Sequence, residues 1–197
     1  IFSWSDGPLD GASVIEMGDN VVFRNNTAVD GSAIYTYGYH TITIGDNLLM
    51  ENNSATGGNG AFMVNGYDGK NGTDFINTVT IGKNATFKNN TAVYRGGAFY
   101  VGGDTNDKAI FDDGAFFAKN SSSYGGAIAG FGVFEFGDVT FDSNFAFDAW
   151  DHVFKNVEGA KESDYTNYVG NGGAVLNRGS LAIKGNANFL NNHAEGY

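Results

Sequence analysis

Cysteine is absent from the 197 residues, so no disulfide framework holds this chain together. Proline occurs once, and basic residues are few: 11 Lys plus Arg stand against 22 Asp plus Glu. The resulting net charge of −11 argues against nucleic acid or an anionic membrane surface as a partner. No run approaches the ~20 apolar residues of a spanning helix, so no membrane insertion is expected. No signal peptide is legible, and a start at Ile1 rather than Met reads as a processed protein or an excised piece. Good helix formers other than alanine are scarce, and no window shows a 3.6-residue apolar stripe outside 145–168.

What the chain does have is 30 Gly, 17 Phe and 10 Tyr, the composition of strands broken by tight turns. Six times a large apolar residue is followed three positions later by asparagine: Phe23 and Asn26, Met50 and Asn53, Phe87 and Asn90, Phe117 and Asn120, Phe141 and Asn144, Phe189 and Asn192. A glycine-alanine step follows: Gly31-Ser32-Ala33, Asn59-Gly60-Ala61, Gly96-Gly97-Ala98, Gly125-Gly126-Ala127 and Gly172-Gly173-Ala174. Asparagine leads alanine by seven residues (26 to 33, 120 to 127) or eight (53 to 61, 90 to 98). The return from alanine to the next asparagine varies between 17 (127 to 144) and 29 (61 to 90). One joint is therefore fixed and the other accepts insertions. The single break in the fixed joint, from Asn144 to Ala174, marks an inserted loop at about 145–170 in one domain spanning 1–197.

A third element precedes each Phe, as in Thr41-Ile42-Thr43-Ile44-Gly45 and Thr78-Val79-Thr80-Ile81-Gly82. Alternation closed by glycine is a half-buried strand ending in a turn. Units that cannot bury their apolar faces alone must stack. The prediction is an all-β parallel β-helix, a β-solenoid of three strands per rung and about six rungs, roughly 30 Å long at the ~4.8 Å strand spacing. The large apolar residues should then form an inward column. Each motif asparagine should sit at a corner of left-handed geometry, its amide bonded to the next rung in a ladder. Glycines free the bend, and alanine fits the crowded interior.

These paired F-x-x-N and G-G-A-[I/L/V] elements resemble the repeats of the chlamydial polymorphic membrane proteins, over nearly the whole chain. Met50, Ser32 and Asn59 depart from that pattern. The resemblance implies a right-handed β-helix of a secreted, surface-exposed autotransporter passenger used in adhesion.

Other residues carry chemistry. Asp19, Asp46, Asp113 and Asp138 precede the Phe strand at equivalent positions, interrupted by Lys83 and Asn186. Stacked carboxylates ~5 Å apart would repel unless a cation bound between Asp19 and Asp46; solvated turn residues are the plainer reading. The inserted loop offers Trp150, Asp151, His152, Tyr165 and Tyr168 as a binding surface, or as an excursion covering the coil with Trp150, Val153 and Phe154. His40 and His193 belong to distant units. Loops at 35–40, 65–77 and 101–108, with Tyr35, Tyr37, Tyr39, Tyr67 and Asp68, suit glycan or protein recognition. Among the Asn-x-Ser/Thr triplets Asn71 is the best-placed glycosylation acceptor, while Asn120 should be buried.

No cofactor or metal is implied. Neither end looks capped, so copies of the chain or adjoining solenoid rungs are the expected partners there, with host-surface protein or glycan along the sides. The functional expectation is a non-catalytic extracellular or cell-surface structural or adhesive solenoid, with head-to-tail filament assembly as its extension. The alternatives are a carbohydrate-binding surface module and, third, a β-helix polysaccharide lyase or hydrolase, which would need paired acids in a cleft.

Overall fold

The computed structural model describes residues 1–5, 12–66, 76–103, 105–161, 163 and 170–196. Its strands stack into four parallel sheets of six. The first sheet contains Phe2–Trp4, Ile34–Tyr37, Phe62–Asn65, Phe99–Gly102, Ile128–Gly130 and Val175–Asn177. The second contains Ser13–Met17, His40–Ile44, Thr78–Ile81, Lys108–Phe111, Val133–Phe136 and Ser180–Ile183. The third runs through Val22–Arg24, Leu49–Glu51, Thr86–Lys88, Ala115–Ala118, Val139–Asp142 and Ala187–Leu190. The fourth is narrow: Thr27–Ala28, Ser54–Ala55, Thr91–Ala92, Ser121–Ser122, Phe145–Ala146 and His193–Ala194. This is a parallel β-helix of six rungs. Each rung has a fourth strand beyond the three expected. Two residues between the asparagine corner and the glycine bend are too few to show an alternation, so only pairing with the next rung reveals them.

The core follows from register. Phe23, Met50, Phe87, Phe117, Phe141 and Phe189 face one another rung by rung. Rings of Phe87 and Phe117 stack at 4.6 Å, those of Phe117 and Phe141 at 5.0 Å. A second stack, Phe111 on Phe136 at 4.8 Å, comes from the second sheet and meets Phe117 edge-on. Offset stacks crossed by edge contacts suit the ring quadrupole, and a slip of one residue would turn every Phe outward. Register is therefore strongly specified.

The corners divide the backbone demands between neighbouring residues. Left-handed φ falls on Asn25, Asn52, Asn89, Lys119, Ser143 and Asn191, one position before the motif asparagine, which corrects the expected placement. The reason is geometric. The chain turns at the more exposed residue of each pair, which frees the next side chain to enter the interior. At the second bend Gly96, Gly125 and Gly172 have positive φ, whereas the following glycines are needed for closeness: a Cβ on Gly126 would strike the Gly173 carbonyl. In the rung of Asn59 the bend is one residue shorter. Gly60 has the positive φ there, and Asn59 joins a bridge column with Arg95, Tyr124 and Asn171.

Candidate functional site

The interior polar residues are occupied by stacking. Asn53, Asn90, Asn120 and Asn144 are fully buried. Asn120 Oδ1 accepts from the backbone N–H and from Nδ2 of Asn90, each at 3.0 Å. Its own Nδ2 donates to Phe87 O and to Asn144 Oδ1, again at 3.0 Å. Both amide protons and the oxygen are thus satisfied, as burial demands. No other side chain of this length offers both functions without a charge.

The aspartate column is a second ladder, exposed to solvent. Asp19 Oδ1 accepts from Asp46 N at 2.8 Å, Asp46 Oδ1 from Lys83 N at 2.8 Å, and Asp138 Oδ1 from Asn186 N at 2.6 Å. One carboxylate oxygen of each is thereby committed to the rung above. Among the described residues no group of three or more His, Cys, Asp or Glu is arranged to hold a metal ion.

The inserted loop folds back on the coil as one π-helical turn, Trp150–Phe154. Phe154 stacks on Tyr94 at 6.4 Å, and Trp150 and Val153 are half-buried. Asp151 and His152 do not form a pair. Asp151 bonds Lys155 at 3.0 Å, and His152 Nε2 lies 2.9 Å from Glu195 Oε2. His193 is not distant: it pairs with Phe145 in the fourth sheet, stacks on its ring at 5.6 Å, and thus lies across that ring's neighbourhood from His152, which meets Phe145 edge-on. Parallel stacking brings residue 193 beside residue 145 because exactly one coil separates them. Tyr165 and Tyr168 lie outside the described residues, as do Tyr67, Asp68 and Asn71. Tyr35 and Tyr37 belong to a strand rather than a loop, where they pack against Phe2 and Trp4 at 5.3 Å.

Two features escaped the repeat pattern. A third polar column joins His40, Asn77 and Asp107, all fully buried. The His40 N–H donates to Asn77 Oδ1 at 2.9 Å, the Asn77 N–H donates to Asp107 Oδ1 at 2.7 Å, and His40 Nε2 lies 3.0 Å from Ser3 Oγ. Burial pushes the His40 imidazole below its ordinary pKa, so it is neutral at physiological pH. Three residue types at a joint of variable length present no motif to a reader of the sequence. The second feature is a cavity of about 360 Å³ on the outer side of the first sheet, bordered by Arg95, Tyr124, Ala129, Gly130, Phe131 and Arg178. Leu176 completes its wall. The guanidinium carbon of Arg95 lies 6.0 Å from the Tyr124 ring centre, and that of Arg178 lies 5.7 Å from the Phe131 ring centre. Each contact holds a cation over an aromatic face. Their signal in the sequence was only scarcity: they are two of three arginines.

Residues 20–37 and 84–102 match the model of the Chlamydia polymorphic membrane protein repeat. The chain carries that repeat at these two places. Each matched stretch covers the same part of a rung, from a left-handed asparagine (Asn20 or Asn84), through the Phe strand and the ladder corner, to the glycine-alanine strand. The repeat is thus the fixed joint plus the strands on either side of it. No curated protein and no solved structure matches the chain.

Proposed function

We propose that this chain is a non-catalytic structural or adhesive solenoid, secreted or displayed at a cell surface, whose end rungs stack head to tail with copies of itself. The match to a membrane-protein repeat supports the surface location. The polarity of the asparagine ladder carries the stacking. Every ladder N–H donates toward the later rung, from Asn26 to Asn53 at one end and from Asn144 to Asn192 at the other. Among the described residues the Asn192 N–H has no acceptor and Asn26 Oδ1 no donor, so the two ends are complementary. Apolar side chains frame both ends: Phe2 and Trp4 are 62% and 61% exposed at one, Phe189 and Leu190 51% and 48% at the other. Open strand edges template further pairing, and a head-to-tail contact that does not close extends as a filament.

Negative-stain microscopy across a concentration series tests this. Fibres with an axial repeat of about 29 Å, six rungs at ~4.8 Å, are expected. Phe189→Asp, which places a charge on one end, should abolish them. Monodisperse short rods at every concentration would overturn the stacking. A second reading, a carbohydrate-binding surface, is favoured by the two-arginine cavity.

A further inference from the structure

We propose that the cavity between Arg95 and Arg178 binds a carboxylate-bearing sugar residue of a glycan. The inference deepens the second reading and is independent of end-to-end stacking.

The cavity exists because one column of the first sheet changes size. Alternation turns Ile34, Phe62, Phe99 and Ile128 into the core and their neighbours outward, so that Tyr35, Met63, Tyr100, Ala129 and Leu176 line up on the outer face. Large side chains occupy the preceding rungs. At Ala129, with Gly130 beside it, the column drops to almost nothing, and these two buried residues form the floor of the cavity. Arg95 reaches this floor from the bend before the Phe99 strand. Arg178 reaches it from the turn after Val175–Asn177, on the other side.

The charge is distinctive. The chain as a whole carries −11, yet neither guanidinium has a carboxylate within 4.0 Å among the described residues, where Arg24 and four lysines do. Two forks of fixed planar geometry, each held over an aromatic ring, are suited to a carboxylate. The acidic remainder of the surface disfavours a polyanion and leaves room for a single negative charge.

A sugar fits better than an acidic peptide. A peptide laid on a sheet gains most of its affinity from main-chain hydrogen bonds at an open edge. Here the floor strand is paired on both sides, with Phe99–Gly102 and with Val175–Asn177, and the Gly130 carbonyl already accepts from Arg178 N at 2.9 Å. What remains is a cavity between two cations, with Tyr124, Phe131 and Leu176 as its partly exposed apolar walls. A pyranose ring can set its C–H face against those walls while its carboxylate meets the guanidinium forks.

Titration calorimetry with glucuronate, N-acetylneuraminate, glucose and an Ala-Glu-Ala peptide tests the proposal. At least one of the two acidic sugars should bind, and glucose should not. Arg178→Ala and Arg95→Ala should each weaken that binding by about tenfold or more, the loss of one charge-assisted pair. Arg178 is exposed, so Arg178→Ala should melt like the parent, and Arg178→Glu should remove binding altogether. The proposal is overturned if neither acidic sugar binds, if glucose binds equally, or if both alanine variants bind like the parent. Binding of the peptide as tight as that of the sugar would likewise overturn it in favour of a protein ligand.

Discussion

At the scale of single residues, burial decides what the motif asparagines are worth. Asn120 is fully buried, and its side chain makes four hydrogen bonds. Asn120→Ala leaves the Asn90 donors and the Phe87 carbonyl unpaired in a dry interior, at a cost of about 3 kcal/mol or more. Asn192 makes equivalent contacts with Asn144 but is only half-buried at the end rung, where water can replace the lost group. Asn192→Ala should cost roughly 1 kcal/mol. Urea unfolding of the two variants measures the difference, and equal costs would show that the ladder's worth does not come from burial. The asparagines themselves were legible from their spacing. Their neighbours' left-handed φ was not, because the sequence shows asparagine at both positions (Asn25 and Asn26, Asn89 and Asn90) and only the side chain's direction separates their roles.

At the scale of elements, the glycine-alanine bend and the turn after the second-sheet strand both use glycine, for different reasons. A Cβ at Gly126 would collide with the backbone of Gly173 and of Phe145 in the next rung, which cannot move without breaking the coil. Gly126→Ala should therefore cost at least about 3 kcal/mol. Gly18 has nothing within 4 Å of such a Cβ and no positive φ. Gly18→Ala should be neutral or stabilising by ~0.5–1 kcal/mol through the unfolded chain. Thermal melting of the pair is decisive, since equal losses would mean that close packing between rungs does not set the glycine requirement. The inserted loop belongs to this scale too. Its aromatic and acidic composition suggested a binding surface, and the structure gives two of its polar side chains partners: Asp151 bonds Lys155, and His152 bonds Glu195. Glu195 is 43 residues from His152, and no local pattern could announce that partner.

For the whole molecule, the strands of each rung pair only with those of its neighbours, with the contact of Phe154 on Tyr94 bridging one rung further, so stability approximates a sum of rung and interface terms. Rungs between Phe62 and Phe141 have a neighbour on each side and hold the largest fully buried side chains, while the first and last rungs expose Val14, Val22, Leu181 and Phe189. Hydrogen exchange read by mass spectrometry should find the slowest amides in Thr86–Lys88 and Ala115–Ala118 and the fastest in the two outer rungs. In filaments the outer rungs should slow toward the central ones. Uniform protection in the isolated chain would contradict a one-dimensional stack.

The repeat alone determined the coil, its six rungs, the Phe column and the asparagine ladder. A residue that recurs once per rung meets its own equivalent above and below, whatever the connecting loops do. Tertiary structure alone decided what no recurring motif announces: the two-residue fourth strand, the His40–Asn77–Asp107 column, the docking of Phe154 on Tyr94, and the placing of Arg95 and Arg178 on one cavity. The neighbours of such residues depend on how many residues each variable joint consumes and which way each corner turns. The spacing of equivalent residues carries no record of either.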